Sequence, residues 1–269
     1  MTTETALKML LKLFHLPAFV DNYEEVARKA EKEAITYERY LHELAQLEAY
    51  ERHNRKIAQL LKQSHLPREK TLETLEQDRL PRKIRALLPT LCEGSFLARA
   101  ENILAFGNPG TGKTHLLCAI AYELVKRGHA VFFTSAAMLV QNLLIAKRDL
   151  RLSQEIKKLD KFAAILIDDI GYVQQNREEM EVLFTLLAER YERRSVMITT
   201  NLVFSKWDQI FKDPMTTAAA VDRLVHHSVI LELNLKRSYR AEMALENMRR
   251  KMDLEEGGTN ERPILSSNE

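Results

Sequence analysis

The stretch "GNPGTGKTHL", residues 107–116, follows directly on the apolar run "NILAF" (102–106). It packs Gly107, Gly110 and Gly112 together with Lys113 and two threonines, more glycine than a turn needs. Glycines so spaced let backbone N–H groups curl around an anion with no side chain in the way. The stretch fits G-x-x-x-x-G-K-[ST], with Gly107, Gly112, Lys113 and Thr114 in the fixed places. A helical pattern, "THLLCAIAYELVKRG" (114–128), begins where the loop ends, so the positive end of a helix adds to the anion site. A bare glycine turn is the alternative, and a strand, motif and helix in register weigh against it. Residues Gly107, Asn108, Pro109, Gly110, Thr111, Gly112, Lys113, Thr114 and His115 are therefore expected to line a nucleoside triphosphate, ATP. Lys113 would reach the β- and γ-phosphates, and the Thr114 hydroxyl would hold Mg²⁺.

Further along, "AILIDDIG" (164–171) puts two carboxylates at the end of a buried strand. In phosphate-loop enzymes an aspartate there holds Mg²⁺ and a neighbouring acid polarises the attacking water. Asp168 suits the first role and Asp169 the second. The runs "NILAF", "AVFFT" (130–134), "AAILI" (163–167), "SVMITT" (195–200) and "SVILEL" (228–233) are continuously apolar rather than alternating. Strands of that kind are buried on both faces, which predicts an α/β fold with a parallel sheet sandwiched by helices.

Residues 4–63 contain one proline, Pro17, and no glycine, and read as helix. Leu7, Leu10, Leu11 and Phe14 would line a first helix. A second would run from about Asp21 to Gln63, with Val26, Ala30, Tyr37, Leu41, Leu44 and Leu47 as its apolar stripe. Pro67, Pro81 and Pro89 punctuate a linker with short helical pieces, and the polar tail reads as disordered. The expected organisation is an all-α N-terminal domain over 1–66, an ATPase domain over 67–250 and a tail over 251–269.

The chain has 269 residues, with 40 basic against 38 acidic side chains, so global charge predicts no polyanionic partner. Cys92 and Cys118 form no disulfide motif, and no apolar run is long enough to cross a bilayer. A cytoplasmic protein with no membrane association is expected. The histidines show no zinc spacing, His115 reads as packed or hydrogen-bonded, and Trp207 reads as a core anchor.

These motifs together resemble the AAA+ ATPases, and within them the IstB-like transposition helpers of insertion sequences, relatives of the DnaC helicase loader. The resemblance spans nearly the whole chain. It rests on "GNPGTGKTHL", "LIDDIGY", "LFTLLAERYERRSVMITTN", "FSKWDQIF", and "AVDRLVHH" with "SYR" (238–240) following. It implies that Asn201 senses the γ-phosphate as sensor 1. Arg223 would be an arginine finger acting on the neighbouring subunit, with Arg240 a weaker second sensor. Members of the family typically carry Asp-Glu where this chain has Asp168-Asp169. The resemblance also implies DNA contact through the insert 137–162, by Lys147, Arg148, Arg151, Lys157 and Lys158. A second basic cluster, Arg52, Arg55, Lys56 and Lys62, would contribute from the N-terminal helices. Each cluster alone reads as a solvated helix face. The implied protein is a homo-oligomer assembled on duplex DNA that hydrolyses ATP and stimulates a partner transposase. A helicase loader, a small-molecule kinase and a nucleotide-gated scaffold are the alternatives.

Overall fold

The structure, a computed structural model, describes residues 2–172, 177–202 and 224–233. Trp207, Arg223, Arg240 and the tail lie outside the described residues.

The N-terminal third is helical: α1 (Thr3–Leu13), α2 (Pro17–Lys32) and α3 (Tyr37–Ser64). The helix expected from Asp21 to Gln63 is in fact two. The adjacent β-branched residues Ile35 and Thr36 weaken helix there. Ala34 turns the chain with a φ of 51°, and Thr36 restarts it as the cap of α3. The apolar face of α1 is not covered: Leu7, Leu10 and Phe14 are 40%, 50% and 63% exposed. Of the expected stripe, Val26 and Leu44 are buried, whereas Tyr37 and Leu41 face solvent.

One buried carboxylate ties these helices together. Glu48 accepts from the Ala18 N–H at 2.9 Å, at the start of α2, and from Arg52 Nε at 2.7 Å. Arg52 also donates to the His15 carbonyl at 2.8 Å. Burial pushes the Glu48 carboxyl up, but these hydrogen bonds and the charges of Arg52 and Arg55 outweigh it and hold the group below the usual carboxylate range.

Among the described residues, five strands form one parallel sheet: β1 (Asn102–Phe106), β2 (Val131–Ser135), β3 (Ala164–Asp168), β4 (Ser195–Thr200) and β5 (Ser228–Glu232). Their order is β2-β3-β4-β1-β5, every neighbouring pair parallel. Strand side chains alternate between two cores. Ile103, Ala105, Leu166 and Met197 pack on one face with α4 (Arg82–Glu93) and α6 (Lys113–Lys126). Leu104, Ile165, Ile167 and Ile198 pack on the other with α7 (Ala136–Arg148), α8 (Leu152–Leu159) and α9 (Arg177–Arg190). A one-turn helix, α5 (Ser95–Ala98), leads from α4 towards β1. The proline-punctuated stretch is thus more than a linker, because α4 accommodates Pro89 and buries Ile84, Leu88, Leu91 and Cys92. Leu60 and Leu61 of α3 also pack against the first core.

The second core is braced by a fully buried cation. Arg190 donates to the carbonyls of Leu159, Phe162 and Ser195 at 3.0–3.1 Å, with Asp160 at 3.7 Å. Burial pulls its guanidinium down to about 10. It joins the ends of α8 and α9 to the start of β4. Arg190→Ala would remove three hydrogen bonds to buried carbonyls, while Asp160 keeps Arg193 at 2.9 Å, so a loss of about 2–4 kcal/mol of stability is expected in denaturant melts.

Candidate nucleotide site

Strands β1, β3 and β4 run parallel, so their carboxyl ends open on one edge of the sheet, where ligands of such folds bind. The loop of residues 107–112 leaves β1 at this edge. Gly110 and Gly112 take φ values of 78° and 86°, which only glycine adopts without strain. Gly107 is needed for a different reason: a Cβ there would lie 2.5 Å from the Leu233 carbonyl oxygen, just beyond β5. Thr111 closes the loop by donating to the Asn108 carbonyl at 2.9 Å. Lys113 begins α6 only 5% exposed, and its ammonium donates to the carbonyls of Gly107 at 2.8 Å and Asn108 at 3.0 Å. The cation is therefore held within the loop whose N–H groups would receive phosphate.

Thr114 and Asp168, the two metal candidates, lie side by side. The Thr114 hydroxyl donates to Asp168 Oδ1 at 2.7 Å. A hydroxyl and a carboxylate side by side are a hard oxygen set suited to Mg²⁺. A third residue completes the group. Thr199 donates to the same Oδ1 at 2.6 Å and accepts from the Asp169 N–H at 2.8 Å. It can do so because β4 lies between β1 and β3. Thr199 thus fixes the Asp168 carboxylate and holds Asp169 in a left-handed turn, φ 56°. Sequence reading passed over it, although two threonines ending a buried strand were a signal. Thr199→Val keeps the shape and removes both bonds. It is expected to raise the Mg²⁺ concentration for half-maximal ATP turnover about tenfold, consistent with the cost of losing a ligand's supporting bond, while Thr199→Ser restores it.

Asn201 stands just past β4, with its Oδ1 buried and unpartnered among the described residues. A Cβ at Gly171 would come within 2.5 Å of that oxygen, so glycine there keeps room beside it. Asn201 and the turn carrying Asp169 and Gly171 therefore sit together. His115 points elsewhere. Its Nε2 lies 3.1 Å from both the Thr71 carbonyl and the Thr74 hydroxyl, so that nitrogen carries the proton and docks residues 71–74 on α6.

Residues 9–247 match the family described as IstB-like ATP binding protein. The chain belongs to that family. It is 43% identical over 247 residues to an insertion-sequence ATP-binding protein of Sinorhizobium fredii, covering 91% of this chain and 83% of that one. An IS21 ATP-binding protein of Pseudomonas aeruginosa is 38% identical, covering 83% of each. Among solved structures, AMPPCP-bound DnaA from Aquifex aeolicus shares the fold with a TM-score of 0.54 at 20% identity, over 70% of this chain and 56% of that one. DnaI does so with a TM-score of 0.52 at 21% identity, over 63% and 95%. The parallel sheet sandwiched by helices is thus a fold shared with these structures.

The basic candidates of this IstB-like protein lie in two places. On the α7–α8 hairpin, Lys147 pairs with Glu181 at 2.8 Å, Arg151 with Asp149, and Lys158 with Glu155 at 2.8 Å. Arg148 and Lys157 make no ion pair among the described residues. On α3, Arg52 and Arg55 both face Glu48, and Lys56 approaches Gly128 at the end of α6. No helix among the described residues is long and apolar enough to cross a membrane.

Proposed function

We propose that this IstB-like protein is a Mg²⁺-dependent ATPase that assembles side by side on duplex DNA and stimulates a partner transposase. The observation that carries the reading is the convergence of Thr114, Asp168 and Thr199 beside the phosphate loop. Lys113 and the loop N–H groups would bind the triphosphate, and Thr114 and Asp168 would hold Mg²⁺. The metal, when bound, neutralises charge on the phosphate oxygens. Asp169 orients and accepts a proton from the attacking water, and Asn201 positions it against the γ-phosphate. Arg223 completes the site of the neighbouring subunit.

The transposition context is supported by the insertion-sequence names of the relatives. DNA contact is favoured at the α7–α8 hairpin, where five cations stand against two carboxylates between positions 147 and 158. Cations of both clusters pair with carboxylates, but the Glu48 that holds Arg52 and Arg55 is buried whereas Glu181, Asp149 and Glu155 are more exposed, which makes the α3 cluster the lesser contact. With no sequence-reading motif in view, DNA shape and deformability are the expected basis of target choice. Binding to duplex DNA is expected to require Mg²⁺ with ATP or a non-hydrolysable analogue, and to sediment as an oligomer. Neutralising phosphates releases counterions, so alanine at Lys147, Arg148 and Arg151 should flatten the slope of log affinity against log salt by about 2–3. An unchanged slope removes the hairpin from the DNA path. Addition of a partner transposase from the same insertion sequence should raise strand transfer only with ATP present.

A further inference from the structure

At the opposite end of the sheet, an acidic side chain meets two adjacent histidines that lie far from it in sequence. Glu192 lies in the turn after α9, and His226 and His227 precede β5. Their ligand atoms all lie within 4.8 Å of one another, and no other such group occurs among the described residues. His227 Nε2 is 3.5 Å from Glu192 Oε1. The two rings meet edge to face with centroids 4.2 Å apart, because the chain turns at His227 instead of alternating as a strand would. The Tyr191 hydroxyl lies 3.4 Å from His226 Nδ1, giving that ring the kind of partner that fixes the tautomer of a metal-binding imidazole. The His227 carbonyl accepts from the Asn102 N–H at 2.7 Å, anchoring the backbone beside β1.

We propose that Glu192, His226 and His227 form a binding site for one divalent transition-metal cation, of which Zn²⁺ is the best match. Two imidazoles and a carboxylate are borderline donors that suit zinc over magnesium or calcium. A tetrahedral zinc with bonds of about 2.0–2.1 Å places its donors about 3.4 Å apart. The His227–Glu192 pair already has that spacing, and the exposed His226 ring needs only a side-chain adjustment. Three protein ligands leave a fourth position for water, so the site is open to solvent. Bound metal would fasten the start of β5 to the turn between α9 and β4. Neither thiol competes: Cys92 and Cys118 are buried, and burial pushes them up to about 11 and about 12.

The test uses the full chain stripped with a chelator and titrated with Zn²⁺ alone against a chromophoric competitor. One equivalent should bind saturably and raise the melting temperature. Glu192→Gln, His226→Ala and His227→Asn should each weaken binding at least tenfold, and the triple variant should lose both the equivalent and the thermal shift. All three ligands are exposed and distant from the phosphate loop, so ATP affinity should be unchanged and certifies that each variant is folded. Equal zinc affinity in wild type and triple variant, or no saturable binding to the wild type, overturns the proposal.

Discussion

Lys113→Ala is expected to lower ATP affinity by about 10²–10⁴-fold. One hydrogen bond from the remaining ammonium N–H to a phosphate oxygen contributes about 1.5–3 kcal/mol, and loss of the two bonds to the loop carbonyls adds a similar amount, which together give that range. The structure adds a reason why the full amount is realised. The ammonium is 5% exposed and held by two loop carbonyls. Little side-chain freedom is therefore left to lose when phosphate arrives. The same bonds brace the loop from within, so removing them also loosens the arrangement of its N–H groups. Equilibrium titration with a fluorescent ATP analogue measures the loss. An unchanged melting temperature in the absence of nucleotide separates it from general unfolding. Affinity within threefold of wild type would remove the loop from nucleotide binding.

Arg223→Ala is expected to slow turnover by about 10³–10⁵-fold with ATP affinity nearly unchanged, the signature of a charge that acts in the transition state. Arg223 itself lies outside the described residues. Leu224 follows it directly and is buried in the second core. From there the chain enters β5, which pairs with β1, the strand that delivers the phosphate loop. If Arg223 serves the next subunit, each variant is defective in a different half of a shared site. Mixing Arg223→Ala with Lys113→Ala subunits should then recover part of the activity, where an intact guanidinium meets an intact loop. No recovery at any mixing ratio would place Arg223 outside the shared site.

The sheet was legible in the sequence because its strands are buried on both faces. Continuous apolar runs such as "SVMITT" have no other economical use, and β4 occupies that run from end to end. The loop was legible because glycine spacing and a lysine point to phosphate through backbone geometry alone. What escaped was set by long-range or marginal effects. The break between α2 and α3 carries neither glycine nor proline, only the β-branched pair Ile35–Thr36. The α4 helix was obscured by Pro89, whose local preference is outweighed by the burial of Leu88 and Leu91 in the core. Thr199 acquires its role only when β4 is placed between β1 and β3. Glu192 and the two histidines lie more than thirty positions apart in sequence, so no spacing rule could join them. The uncovered apolar side of α1 is legible as amphipathic, yet nothing local says whether such a face is covered.

The central claim is that one carboxylate at the end of β3 holds the metal while the next activates water. Asp169→Asn tests it most directly. Asparagine tolerates the left-handed backbone that Asp169 adopts and keeps the N–H donated to Thr199, so the turn should survive. Only the basic oxygen is lost. Steady-state ATP hydrolysis, measured with DNA and saturating Mg²⁺, is expected to fall at least about 100-fold while ATP affinity stays within twofold of wild type. Hydrolysis at the wild-type rate in this variant would contradict the account.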